Sequence, residues 1–446
     1  MRICPGEEEV NLESYIKSYW PELLITVLLI LDIFVRVIPA APFIVLIVGL
    51  QFLRLDINSN IFLCLQCLPV FLGAALNTMG ISGIGGLAYV LGAVLIVYGF
   101  LKGETRVSLK GLAGIVPVVF VLLYFTISMM LSSGGDFAGQ KLALTIKAML
   151  FTWVSFIILF SNFRTVNTDL LGLYLVLFAA YLLRLSIDAN TISGPAGLFD
   201  FAFMRVQTID TLGYIPDVYY ISYQFPGAYV LQGIGIYLMR YRRDHKIAFL
   251  LFAAGLIIIL YAGARQMIIS VFLVLVLWVV ITYKQKSLFI VAAMVLLVPV
   301  VYLASTSLST LFESTVEEGY VEGGGRGLWL MAGVQQFLDN PVLGVGFGRY
   351  NLLGNYDTYP HNLFIEILCE LGLVGFVVLL AVFLVMLFLG RQNIKRYIFY
   401  FAGLFFMSMA SGGMFDNIIL FSLVFASISF GRQRSLTNGR KRLQYC

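Results

Sequence analysis

The chain has 446 residues, 60% of them hydrophobic and 12% charged, with a formal net charge of +5. A soluble domain carries about a quarter charged residues, so this composition excludes a single water-soluble core and makes lipid the solvent for most of the chain. The N-terminal segment, with Arg2 followed by Glu7, Glu8 and Glu9, lacks a basic region running into a short apolar stretch. It therefore predicts no cleaved signal peptide.

A spanning helix needs about 20 mostly apolar residues. In chain order such stretches lie near 22–37, 40–53, 60–77, 83–101, 112–131, 143–161 and 168–186. The series continues near 226–241, 247–262, 265–283, 287–304, 362–389, 397–411 and 416–430. The fold class expected is an all-α polytopic membrane protein with about 12–14 transmembrane helices. Cys64 and Cys67 form a C-x-x-C within the third stretch, but no second pair or neighbouring His accompanies them. They read as small buried hydrophobes.

Two polar intervals interrupt the series, at 187–225 and 305–361. They divide the chain into N-terminal spans (1–186), a first outer loop (187–225), central spans (226–304), a large outer loop (305–361), and C-terminal spans with a basic tail (362–446). A cytoplasmic N-terminus places all but eight of the 29 Lys and Arg on the inner side. The eight are Arg36, Lys141, Lys147, Arg184, Arg205, Arg265, Arg326 and Arg349. Under the positive-inside rule both termini then face the cytoplasm and both long loops face outward. Loops of this length are functional or disordered more often than not. In the first, Tyr214, Tyr219, Tyr220, Tyr223 and Phe225 suit either interfacial anchoring or stacking on sugar rings.

Three outward residues carry chemistry. Arg265 stands between two spans with almost no loop. A charge at membrane depth costs about 2.5–3.5 kcal/mol on insertion scales and usually faces a cavity or a partner, although snorkelling to the interface is the plainer account. Arg326 follows Gly323-Gly324-Gly325 and precedes an apolar helix-like stretch, Leu328 to Leu338. A turn feeding a helix start presents N–H groups to an anion. Asp339-Asn340-Pro341 should end that helix, and Gly344-Val345-Gly346-Phe347-Gly348 supplies a permissive turn. His361, after Tyr359-Pro360 and beside Asn362, is the one imidazole on this face, and a neutral imidazole can serve as general base. No Asp-x-Asp or His/carboxylate set marks a metal or other cofactor site. Glu313, Glu317, Glu318 and Glu322 read as a solvated acidic face.

Residues 326–375 resemble the signature region of the bacterial O-antigen ligase and polymerase superfamily. The similar elements are Arg326, the run Asp339 to Gly346, and the ligase-like pattern His361, Asn362, Gly372 and Gly375. Arg265 resembles an upstream Arg of the same superfamily, with Ala264 where a Ser is common; Trp329 stands one position early. The resemblance implies a glycosyltransferase of GT-C-type architecture in the bacterial inner membrane, with a large periplasmic loop. Its donor is an undecaprenyl-diphosphate-linked glycan; its acceptor is another glycan (polymerase) or lipid A–core (ligase). Arg265 and Arg326 would hold the diphosphate and His361 would act as base, without metal and with inversion. Tyr359, Asn362, Gly344 and Gly346 would line the substrate site. The partners implied are membrane lipid and, for a polymerase, a chain-length regulator, with no nucleic acid. A lipid-linked oligosaccharide flippase is the reading from a different class. It is disfavoured because the suspect charges gather on one face and the halves show no evident symmetry.

Overall fold

The computed structural model describes residues 12–35, 40–77, 84–132, 136–188, 224–239, 245–262, 265–283, 326–350, 360, 362–410 and 417–430. Among them every regular element is helical, as the lack of water to satisfy the backbone in lipid demands. In chain order the helices are α1 (Leu12–Val35), α2 (Ala40–Arg54), α3 (Ile57–Gln66), α4 (Leu68–Asn77), α5 (Leu87–Lys102), α6 (Leu109–Ala113), α7 (Ile115–Leu131) and α8 (Asp136–Ser161). There follow α9 (Thr168–Asp188), α10 (Gln224–Leu238), α11 (His245–Ala262), α12 (Arg265–Tyr283), α13 (Arg326–Asp339), α14 (Leu363–Gly390), α15 (Ile394–Ala410) and α16 (Ile418–Ala426). Each expected span that falls on described residues has its helix. The span expected near 287–304 lies outside them, as do Glu313, Glu317, Glu318 and Glu322 and the Tyr214–Phe225 aromatics up to Tyr223.

Four described stretches are long and apolar enough to cross a membrane: Leu109–Leu131, Ala138–Ser161, Thr168–Leu185 and Leu363–Ser408. The chain is an all-α polytopic membrane protein. Val45 and Leu53 of α2, Leu101 of α5 and Leu131 of α7 are largely exposed apolar side chains, which is the surface a bilayer requires and water would penalise. The opposite faces pack into one large core, with a small separate cluster around Ile61, Leu65 and Ile158. α9 is its axis, buried along its spanning length and flanked by α1, α10 and α11. Gly172 and Gly233 let α9 and α10 approach until the carbonyl of each lies where the other's side chain would begin.

Several charges inside this bundle are paired. Arg184 Nε donates to Asp32 Oδ2 at 2.9 Å, joining α9 to α1. Arg54 Nε donates to Glu22 Oε1 at 3.2 Å, joining α2 to α1, and Tyr174 of α9 donates to the same oxygen at 3.4 Å. Arg184 and Lys141, counted above among the outward charges, are thus interior residues whose partners sit on neighbouring helices. Cys64 and Cys67 are buried free thiols, in keeping with the packing role expected of them.

α14 is not one continuous helix. Gly372 has φ 65° and ψ −170° inside it, about 15 Å along the axis from Asn362 at 1.5 Å per residue. The turn that follows α13 fills this break, and it organises the candidate site.

Candidate functional site

An uninterrupted α14 would bond Leu373 N–H to the Cys369 carbonyl and Val374 N–H to the Glu370 carbonyl. Instead, Leu373 N donates to Pro341 O at 2.8 Å and Val374 N to Val342 O at 3.1 Å. The two freed carbonyls accept from Val345 N at 2.9 Å and Gly346 N at 2.8 Å. Two helical bonds are therefore replaced by four bonds to the turn 341–346, which satisfy both freed carbonyls and both freed N–H groups. Such irregular backbone is tolerated in a membrane protein only where protein surrounds it.

The glycines make this docking sterically possible. A Cβ on Gly344 (φ 69°) would stand 2.5 Å from Glu370 C and from Gly372 N. A Cβ on Gly372 would collide with Val342 O. One on Gly375 would stand 2.9 Å from the Tyr124 hydroxyl of α7. The spacing between Gly372 and Gly375 thus serves two close approaches on one helix face, a backbone and then a ring. Gly346 (φ 103°) lies against Ser132 and Gly348 (φ 75°) against Ala138, so the turn is wedged between the end of α7, the start of α8 and the break in α14.

Phe347 anchors the wedge. Its N–H donates to Ser128 Oγ at 3.2 Å, and its ring stacks on Phe125 with centroids 4.8 Å apart. α13 lies beside α14. Tyr350 donates its hydroxyl to Trp329 O at 2.6 Å, and the Cys369 thiol donates to Gln336 Oε1 at 3.0 Å. Met331, Leu338, Val342 and Leu343 are exposed on α13 and its turn. An apolar edge beside a spanning helix suits the lipid interface.

Asn362 is the N-cap of α14: its Oδ1 accepts from Phe364 N at 3.0 Å and Ile365 N at 3.2 Å. The carboxamide oxygen of this expected substrate-site residue is therefore engaged in holding the helix start. Gly344 and Gly346, expected beside it, spend their backbone freedom on the dock described above. Arg265 is the first residue of α12 and Arg326 the first of α13; their side chains lie outside the described residues. So do His361 and Tyr359. The helices themselves meet: α13 packs on α14, and a Cβ on Gly333 would stand 3.3 Å from Pro360. α12 meets α14 through α15.

One cluster beside the dock was passed over in reading the sequence. Lys141 Nζ of α8 donates to Glu366 Oε1 at 2.6 Å and Glu370 Oε1 at 2.7 Å. Both carboxylates are buried. The ammonium also lies 5.2 Å from the centre of the Phe347 ring. Two glutamates four apart in an apolar helix were the available signal, since ionisable residues inside spans rarely lack a task.

No curated protein matches the chain. Residues 248–380 match the family model described as O-antigen ligase, a segment whose numbering takes in Arg265, Arg326, the docking turn, His361, Asn362 and both α14 glycines. This match bears out the resemblance drawn from the motifs and supports an O-antigen ligase- or polymerase-type function for that segment.

Proposed function

We propose that the protein is a membrane glycosyltransferase that moves a glycan from an undecaprenyl-diphosphate carrier to a sugar hydroxyl. The reaction takes place on the periplasmic face of the bacterial inner membrane and extends a surface polysaccharide. The observation that carries this reading is the family match over residues 248–380, which spans all three chemically suited residues. The basic inner loops support the orientation, and the interior packing of the dock supports a rigid platform for the outer segment.

His361 takes the proton of the acceptor hydroxyl as its oxygen bonds to the anomeric carbon. The bond from that carbon to the diphosphate oxygen breaks, and the electron pair leaves with the carrier diphosphate. Arg265 and Arg326 neutralise the charge collecting there through charge-assisted bonds. Both begin helices, where the N-terminal dipole adds to the attraction for an anion. A single displacement inverts the anomeric centre, and two guanidinium groups serve in place of a metal. The chain-length regulator, if one acts, meets the enzyme at this same outer face.

Membranes containing the protein, supplied with a synthetic undecaprenyl-diphosphate repeat unit, test the reading. Wild type should build a ladder of polymer, and His361→Ala should lower its rate by about 100–10,000-fold, the usual worth of general acid–base catalysis. A fully active His361→Ala would remove the base assignment. The alternative, a ligase, is met if polymer forms without this protein but remains on the carrier until the protein and lipid A–core are both present.

A further inference from the structure

Lys141, Glu366 and Glu370 tie together three parts of the molecule that the family motifs leave separate. α8 supplies the ammonium, the segment of α14 between Asn362 and the Gly372 break supplies both carboxylates, and the turn supplies the Phe347 ring. Both carboxylates are enclosed: Glu366 and Glu370 are 1% and 0% exposed. Glu370 is also the residue whose carbonyl accepts Gly346 N–H, while its Oε2 is buried without a hydrogen-bond partner. The side chain and the backbone of one residue thus hold α8 and the turn respectively.

We propose that Lys141 is a positioning residue for glycosyl transfer. It locks the first turns of α14, which present His361 and Asn362 at the outer end, to α8 and to the docked turn that follows α13. The physical reason is the cost of the alternative. Helices in lipid gain little from apolar contact, because lipid tails are as apolar as side chains. α14 is cut off at Gly372 from the helical bonding that would steady its outer half. The four backbone bonds hold the cut ends, but they fix neither the rotation nor the tilt of Leu363–Leu371 against α8. A single ammonium gripping two carboxylates one helical turn apart fixes both. Removing the ammonium leaves two buried carboxylates without a counter-charge, and the cost of keeping them out of water unpaired opens the contact between this half of α14 and α8. His361, two positions before Leu363 in the sequence, would be carried along with the displaced helix, and ångström-scale misplacement of a catalytic group costs about 100-fold in rate.

The catalytic half of this inference rests on the glycosyl-transfer reading; the structural half does not, and the experiment separates them. In full-length protein in detergent or nanodiscs, hydrogen exchange of segment 341–346 and of 369–374 is followed by mass spectrometry for wild type, Lys141→Met, Lys141→Arg and the triple variant Lys141→Met/Glu366→Gln/Glu370→Gln. Polymer or ligation rates are measured on the same samples. Lys141→Met should exchange about 100-fold faster in both segments, as expected when one partner of a buried ion pair is removed. Its kcat should fall about 100-fold with little change in KM for the lipid donor. Lys141→Arg, or the triple variant with no charge left to repel, should regain protection and much of the rate. If Lys141→Met does not fold, the comparison of the triple variant with Glu366→Gln/Glu370→Gln, which strands the ammonium instead, carries the same test. Unchanged exchange in a folded Lys141→Met, or faster exchange with an unchanged kcat, overturns the proposal. A wild-type protein inactive on every lipid-linked glycan, with the exchange changes as stated, overturns the glycosyl-transfer reading and leaves the lock standing.

Discussion

Two of the interruptions among the described helices, at Cys67 and at Gly372, are of opposite kinds. Between α3 and α4 the chain turns at Cys67, one residue before Leu68-Pro69. Helical bonding runs almost straight through: Cys67 N donates to Leu63 O at 2.9 Å and Phe71 N to Cys67 O at 2.9 Å. Cys67 φ and ψ, −114° and −44°, are near-helical. The cause is local, a proline without an N–H, and Tyr229 donating its hydroxyl to Cys67 O at 3.2 Å helps satisfy the kinked carbonyl. At Gly372 nothing local completes the bonding. The carbonyls of Cys369 and Glu370 and the N–H groups of Leu373 and Val374 are satisfied by a segment some thirty positions earlier in the chain. A kink of the first kind bends a helix; a break of the second kind holds another part of the chain in place. The second is what an active-site platform needs, because it turns a flexible loop into part of the helical scaffold.

This contrast can be broken from either side. The largest effect is expected of Gly372→Val. The left-handed φ alone costs about 1–2 kcal/mol for a residue with a Cβ, and the collision with Val342 O adds the loss of the dock, at about 1 kcal/mol for each of its backbone bonds. Protease protection of the 326–350 segment should vanish and glycan transfer with it; a protected, active Gly372→Val would mean that the turn is held by something else. Val345→Pro removes one donor and strands the buried Cys369 carbonyl, at about 1–3 kcal/mol. It should lower the melting temperature in detergent and slow turnover partially.

Asn362 sharpens the comparison at a finer scale. Asn362→Ala loses the cap of α14, a cost of about 1 kcal/mol, whereas Asn362→Asp keeps an acceptor for Phe364 and Ile365. If capping is its whole duty, the Asp variant should melt and react as wild type does. A stable but inactive Asp variant would restore the substrate contact inferred from the motif. The smallest change belongs to the other interruption. Pro69→Ala restores an N–H to a kink that is already nearly helical and should shift stability by only about 0.4–1 kcal/mol, the usual weight of a proline acting through the unfolded chain. A large loss there would make the first kink a dock as well.

Much of this was legible without coordinates. The helices, their approximate ends, the helix after Arg326 and its stop at Asp339-Asn340-Pro341 all follow from apolar run length and from proline and glycine chemistry, which act within a few residues. The motif glycines were legible as special, yet their purpose was not. Gly344 and Gly372 are needed because each is approached by the other's backbone, a relation between two segments that neither segment carries by itself. Lys141 was read as one of eight outward charges, for charge counting assigns a residue to a side of the membrane and says nothing of its neighbours; its partners lie 225 and 229 positions away.

By itself the sequence determined the solvent and the class of fold, and it nominated the residue types that the proposed function uses. Those follow from transfer free energies and side-chain chemistry, which belong to residues one at a time or in short runs. Only the tertiary structure decided that α14 is broken, that the turn after α13 completes it, and that Lys141 joins both to α8. These are pairings between distant segments, and the free energy of a hydrogen bond or an ion pair exists only once both partners have been brought together.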